Sequence, residues 1–333
     1  MNLVTGATGM VGSYLLKQLL KKETEVVAIY RNISAIEKTK SHFKLFKQEK
    51  LFQKIIWEQV DILNICALSQ LFQKHKIKHI YHCAALVSFD PKDFNLLIKT
   101  NVEGTANMVN FALAYKVSKF CYVSSIAALG DVEKPNEIID ENTLWKKELY
   151  HNDYAISKYG GEIEVWRAHQ EGLNVVIVNP GVILGAGFWD TGSGVIFSQI
   201  QKSSLFYTNG FTGFVDVEDL VKIMILLMKT TQKSDNYVVI SENLSYYQLI
   251  GFIAKSFLLK QPKYAIKPWV TYVLFKLDWL ISFHFFTKRK FPKSLHLSLH
   301  SKNFYDNKKI LTTLQYQMKP ISTTINEISF YLK

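Results

Sequence analysis

The sequence predicts an α/β fold of the doubly wound kind, a parallel sheet of about seven strands between layers of helix, joined to a smaller discontinuous region. Short runs rich in β-branched residues, Val26 to Tyr30 and Val175 to Val178 among them, are apolar throughout instead of alternating, as strands covered on both faces must be. Between such runs lie longer stretches with apolar groups at helical spacing. A glycine-rich turn follows the first run directly, and a chain of 333 residues, 48% of them apolar, is long enough for a large core.

Met1 to Val4 reads as the first strand. It enters the turn Thr5-Gly6-Ala7-Thr8-Gly9-Met10-Val11-Gly12, and Tyr14, Leu15, Leu16, Leu19 and Leu20 then mark a helix. Val26 to Tyr30 closes this βαβ opening, which makes the sheet Rossmann-like. Lys38 to Lys54 is lysine-rich, yet Phe43, Leu45, Phe46, Leu51 and Phe52 are spaced for one packed helix with a solvated face. The next strands are Ile55 to Val60, His79 to His82 and Phe120 to Val123, with a helix over Asn101 to Ala114 before the last of them. A helix over Tyr154 to His169, Val175 to Val178 and Tyr237 to Ile240 complete the sheet. Gly185 to Thr212 and Asn243 to Lys333 exceed what such a sheet requires. The expected division is therefore 1–180 with 213–242 as the dinucleotide-binding domain, and 181–212 with 243–333 as a substrate cap.

Composition excludes several classes. Forty Lys plus Arg against 28 Asp plus Glu give a charge of +12, but arginine stands only at Arg31, Arg167 and Arg289, so the forked donor that reads bases and phosphates is scarce. No specific nucleic-acid partner is expected. Cys66, Cys83 and Cys121 lack metal-ligand spacing and read as reduced core thiols, so no metal is expected. The N-terminus lacks the ordered regions of a signal peptide, and the expected location is cytoplasmic. Trp269 to Phe286 is apolar but broken by Lys276, Asp278 and His284, and reads as an amphipathic helix of the substrate region. Peripheral membrane contact through 269–290 stays open because Lys288, Arg289 and Lys290 follow, as does a homodimer.

Gly6, Gly9 and Gly12 lie between a strand and a helix, where a dinucleotide pyrophosphate can approach the backbone and meet the helix N-terminus. Thr5, Thr8, Met10 and Val11 belong to the same turn. Arg31 lies just beyond the second strand, where a guanidinium can pair with an extra ribose phosphate, which favours NADP(H) over NAD(H), with a solvent-facing loop arginine as the alternative. Asp61 and Ile62 follow the third strand and are candidates for the adenine side, or for capping the next element. Cys83, Ala84 and Ala85 follow the fourth and are small enough for close approach of the nicotinamide end.

Tyr154 and Lys158 are four apart on one helix face, so a phenol that exchanges a proton with substrate can sit near an ammonium that supports it. Ser125 ends the strand Tyr122-Val123-Ser124-Ser125 and can orient a substrate oxygen. No acyl-transfer constellation accompanies either serine.

Together these motifs resemble the extended short-chain dehydrogenase/reductase family, which includes epimerases, dehydratases, dihydroflavonol-reductase-like enzymes and 3-beta-hydroxysteroid dehydrogenases. The glycine pattern, Asp61-Ile62, Ser125, Tyr154 and Lys158 match its motifs in order, and so do Asn101-Val102-Glu103-Gly104-Thr105, Asn179-Pro180-Gly181 and Phe214-Val215-Asp216-Val217-Glu218-Asp219. The resemblance implies that Asn101 is a structural or water-holding member of the catalytic set and that Asn179 and Pro180 adjoin the cofactor. Arg31 and Phe304-Tyr305-Asp306-Asn307-Lys308-Lys309 look more like the dihydroflavonol-reductase and steroid-dehydrogenase branches. Asn179 stands before proline where many sugar-processing relatives have arginine. The expected activity is reversible hydride transfer between nicotinamide and a ketone or aldehyde with a sizeable apolar portion, for which Phe89, Phe188, Trp189 and Phe211 are candidate wall residues, with ordinary core or cap packing as the alternative for each. A nucleotide-sugar epimerase or dehydratase with bound NAD(P), or a non-catalytic NADP-binding regulator, is the alternative.

Overall fold

The computed structural model describes residues 1–22, 24–130, 132, 137–231, 234–285 and 287–332. Its centre is a seven-stranded parallel sheet made of β1 (Asn2–Thr5), β2 (Val26–Tyr30), β3 (Ile56–Gln59), β4 (His79–His82), β5 (Lys119–Val123), β6 (Val175–Pro180) and β7 (Asp235–Val239). Their order is β7-β6-β5-β4-β1-β2-β3. The order reverses between β1 and β4, which opens a crevice at their carboxyl ends.

Successive strand side chains enter two different cores, which is why the runs are continuously apolar. Val4, Tyr81, Cys121 and Val176 face α1 (Met10–Lys21) and, further along the chain, the helix Val217–Lys229. Leu3, Ile80, Phe120 and Val175 face the other way. They pack under α2 (Ile65–Lys74), α3 (Gly104–Ala114) and α4 (Asp153–Gln170). A third core lies outside the main sheet, around Phe197, Phe214, Leu249 and Ile325.

The two expected regions interlock. Phe211–Asp216 pairs with Val182–Leu184 and Glu242–Ser245 in a three-stranded sheet, whereas Val217–Lys229 and β7 return to the main layers. Lys308–Leu314, within the expected cap, also packs on the main core through Ile310. Asp216 caps Val217–Lys229 through the amides of Glu218 and Asp219 and accepts a 2.8 Å hydrogen bond from the Thr324 hydroxyl.

Three expectations need correction. The single helix over Lys38 to Lys54 is two, Ser34–Leu45 and Glu49–Phe52, because Lys47 adopts the left-handed conformation with φ of 54° and ends the first. Cys66 is exposed, not a core thiol, because α2 buries its opposite face through Leu68, Leu71 and Phe72. The run Trp269 to Phe286 does form a helix, α5 (Pro268–His284), but most of its apolar side chains face outward; Phe286 lies outside the described residues.

Candidate active site

Two cavities meet over the carboxyl ends of the central strands. The smaller, of about 330 Å³, is bounded by Gly6, Thr8 and Gly9 of the first turn, by Arg31 and Ile62, and by Cys83, Ala84 and Ala85 after β4. The larger, of about 590 Å³, is bounded by Ser125, Tyr154, Pro180, Tyr246 and Tyr305 among others. Met10 borders both, and Val11 the larger.

The glycines of the first turn serve different ends. A Cβ on Gly12 would lie 2.3 Å from the Gly6 carbonyl oxygen, so the chain itself excludes a side chain there. A Cβ on Gly9 would meet only that same oxygen, at 3.4 Å, so the space above Gly9 is open to the cleft. Gly9 precedes α1 without a side-chain cap, which leaves first-turn amides for an anion. An open glycine beside uncapped amides fits a dinucleotide pyrophosphate. Arg31 and Lys38 border this cleft, and no carboxylate does among the described residues. The sequence does not mark Lys38, because a lysine in a lysine-rich helix carries no distinguishing signal.

Other expected cofactor residues lie deeper. Asp61 accepts from the Leu63 amide at 2.9 Å, the capping alternative, and Ile62 rather than Asp61 borders the cleft. Thr5 is buried, with its hydroxyl 2.8 Å from His82 Nδ1 and accepting from the Ala84 amide at 3.1 Å. Asn179 is buried, and its amide donates to the Ser125 carbonyl at 3.1 Å and to Glu162. Pro180 borders the larger cavity.

Ser125 and Tyr154 reach the larger cavity from different elements. Ser125 follows β5, and its hydroxyl accepts from the Ala127 amide at 3.2 Å. Tyr154 stands in the first turn of α4, capped by the Asn152 side chain through the Ala155 amide at 2.9 Å. Burial pushes the Tyr154 phenol up, opposed by the Ser125 hydroxyl. Lys158 is buried one turn on; its ammonium donates to the Val123 carbonyl at 2.7 Å and to the Tyr122 hydroxyl at 3.0 Å. Burial lowers it to about 7, opposed by Glu162 and Cys83.

Asn101 acts as a staple. Its amide donates to the Leu86 carbonyl at 2.9 Å and to Ser157 Oγ at 2.8 Å, and its oxygen accepts from the Leu86 amide at 2.7 Å. It fixes the loop after β4 to α4 from within a π turn, Ile98–Glu103. Tyr122, which the sequence offers only as part of a strand motif, is the hydroxyl partner of Lys158. The nearest sequence signal is Gly161: a Cβ there would come within 2.2 Å of Tyr122 Oη, so the glycine lets α4 close on β5.

The expected substrate residues divide. Phe89 borders the larger cavity, its ring 5.8 Å edge-on from Tyr154. Phe188 borders the smaller cleft instead, Trp189 packs against the third core, and Phe211 lies against Phe304 at 5.2 Å. None of these last three lines the larger cavity, because each turns toward its own layer. Tyr150, His151 and Tyr246 do line it without being marked in the sequence, and Tyr305 lines it too although the sequence marks it only as part of the Phe304–Lys309 run, since separate segments bring the four together.

The profile of the NAD dependent epimerase/dehydratase family matches residues 2–240. A Synechocystis sp. protein carrying the name of a dihydroflavonol 4-reductase is 29% identical over 276 residues, covering 80% of this chain and 75% of its own. Cinnamoyl-CoA reductase 1 of Petunia hybrida is 26% identical over 272 residues, covering 79% and 78%. The fold is also that of UDP-glucuronic acid 4-epimerase from Bacillus cereus, solved with UDP-glucuronic acid and NAD, at a TM-score of 0.77, 20% identity and coverage of 99% and 98%. With the family profile spanning both the glycine turn and the Tyr154 helix, the chain belongs to the NAD dependent epimerase/dehydratase family and is an NAD(P)-dependent enzyme of its reductase and epimerase kind.

Proposed function

We propose that the protein is an NADP(H)-preferring reductase that interconverts a ketone or aldehyde and the corresponding alcohol, on a substrate whose body is neutral and apolar. The observation that carries this reading is the wall of the larger cavity, which contains no Lys, Arg, Asp or Glu among the described residues and only one titratable nitrogen ring, His151. A nucleotide-sugar diphosphate would find no cation there. Reductases of dihydroflavonol and cinnamoyl-CoA names among the relatives support the reaction type.

In this reading the Ser125 hydroxyl orients the substrate oxygen and the Tyr154 phenol gives or takes the proton on it. A raised phenol keeps its proton at neutral pH, which suits the donor role in reduction. Lys158 in its protonated form, one turn on, supports the phenol, and the Asn101–Ser157 contact keeps that turn of α4 in register. Gly6, Gly9 and the α1 amides hold the pyrophosphate, and Arg31 with Lys38 meets the extra ribose phosphate. The bound nicotinamide supplies or accepts the hydride.

The test is NADPH consumption with a panel of neutral ketones and aldehydes, followed by product analysis. Tyr154→Phe should lower turnover about 100- to 10,000-fold while cofactor binding persists. Stereochemical exchange of a sugar nucleotide without net cofactor consumption would identify an epimerase instead. Binding of NADPH with no turnover of any carbonyl would leave a regulatory role.

A further inference from the structure

The helix α5 is built inside out. Thr271, Phe275, Asp278 and Ser282 recur at intervals of four, three and four residues, so they form one stripe, and this stripe faces the protein. It is mostly polar. Thr271 Oγ lies 2.8 Å from His296 Nδ1 and 2.8 Å from His300 Nε2, and Asp278 accepts from Arg289 Nε at 2.6 Å and from the Lys290 amide at 3.0 Å. The outward face carries Trp269, Leu277, Trp279, Ile281 and Phe283, exposed by 65%, 50%, 49%, 54% and 63%, and Phe285 follows at 72%. A helix serving only to cover a core would present these faces the other way round. An apolar patch of this continuity marks a surface with a partner.

Charge identifies the partner. From Leu258 to Lys293 the sequence has eight Lys or Arg and one acid, Asp278, which is already paired with Arg289. A second copy meeting this face by two-fold symmetry would set the same positive surplus against itself. Duplex nucleic acid would match the charge but not the aliphatic face. An anionic bilayer matches both, with headgroups for the lysines and an acyl boundary for the apolar residues. Trp269, Tyr272 and Trp279 are of the amphipathic kind that lies at that boundary. At 17 residues α5 would span roughly 25 Å, short of the ~30 Å hydrocarbon layer, and among the described residues no helix is long and apolar enough to cross a membrane.

We propose that α5 is an interfacial helix that docks the protein, lying flat, on a membrane surface rich in anionic lipid. The short helix α6 (Lys293–Ser298) packs beside it and contributes Ser294, Leu295, Leu297 and Ser298 to the wall of the larger cavity. Thr271 is bonded to His296 within this helix and to His300 just beyond it. Docking therefore sets one wall of the cavity directly behind the docked helix.

The experiment is sedimentation of the full chain with vesicles of phosphatidylcholine alone and of phosphatidylcholine containing about one third phosphatidylglycerol, at low and high salt, with a vesicle-free control. The protein is expected to pellet with the anionic vesicles, and less so as salt screens the lysines. Lys276→Gln with Lys290→Gln should weaken partitioning about 25-fold, the product of roughly five-fold for each charge. Trp279→Ser with Phe283→Ser should weaken it at least about ten-fold. All four are solvent-facing, and far-UV circular dichroism checks that the variants fold. Failure of the wild-type chain to pellet with anionic vesicles overturns the proposal, as does binding indifferent to lipid charge and salt. A dimer that the Trp279 and Phe283 changes dissociate, in a protein that ignores vesicles, assigns the face to a second copy and overturns it too. None of these readouts depends on turnover, so the docking and the reductase reading fail separately.

Discussion

The Lys158 ammonium donates to the Tyr122 hydroxyl at 3.0 Å, and that hydroxyl opens a buried chain of hydrogen bonds running beneath the candidate active site. Tyr122 reaches Thr105, whose own proton goes to the Asn101 carbonyl at 2.7 Å. His82 Nε2, 3.1 Å from the same Thr105 oxygen, must then be the protonated nitrogen, and Nδ1 accepts from Thr5. Burial lowers His82 to about 3, with Lys158 adding to the effect, so the ring stays neutral. The chain links the turn of the first glycines to the helix of Tyr154 and Lys158, and Lys158 is its one ionisable member outside the neutral His82 and Tyr122.

That one charge has a measurable consequence for stability. Lys158 titrates near 7 in the folded protein against an ordinary value near 10.5. Below pH 7 both folded and unfolded chains carry the proton, and the full cost of burying it is present. Between about 7 and 10.5 only the unfolded chain holds it, so this group's contribution to stability rises with pH. Lys158→Met should therefore be more stable than the wild type at pH 6, by on the order of a few kcal/mol, and the gap should narrow through that window. Urea unfolding of both proteins at pH 6 and pH 9.5 checks it; parallel behaviour at the two pH values would refute the burial penalty.

The two glycines of the first turn should respond oppositely to a methyl group. Gly12→Ala forces contact with backbone and should cost about 1 to 3 kcal/mol of stability. Gly9→Ala has an allowed backbone conformation, φ −88° and ψ 173°, and room for its Cβ, so stability should change by less than about 1 kcal/mol. Its cost should fall on NADPH affinity. Thermal unfolding and a fluorescence titration on each variant separate the two effects.

Arg31 is exposed at the rim of the smaller cleft, so the proposed contact with a ribose phosphate would be partly screened. Arg31→Ala should weaken NADPH about ten-fold, the lower end of a charged hydrogen bond, and change NADH little. Equal loss for both cofactors in a folded variant would contradict the phosphate contact, and Lys38→Ala tests whether the second cation shares it.

The sheet was legible because strands buried on both faces cannot alternate, and because Gly6, Gly9 and Gly12 mark where the first of them ends. Tyr154 and Lys158 were legible from their spacing on a helix. The lining of the larger cavity was not, since Tyr150, Tyr246 and Tyr305 come from remote segments and their convergence is a tertiary fact. Local pattern does not separate packing aromatics from cavity-facing ones, so Phe188, Trp189 and Phe211 carry the same signal as Phe89 yet lie away from the larger cavity. The orientation of α5 was obscured for a related reason: its inward stripe has few residues and its outward face many, so apolar content suggested burial.

The π turn at Ile98–Glu103 bears on which changes of chain length this enzyme can absorb. A turn closed by i→i+5 bonds carries one more residue than an α-helical turn, and each residue advances a helix by about 100°. Deleting one residue between 98 and 103 would let the helix become regular with its two halves still in phase, but it would move Asn101 off the position the wide turn gives it. Asn101 could not then meet Leu86 and Ser157 together. A change of length should therefore be tolerated in the exposed approach before Leu97 and not in the turn that seats Asn101, even though its backbone is the irregular part.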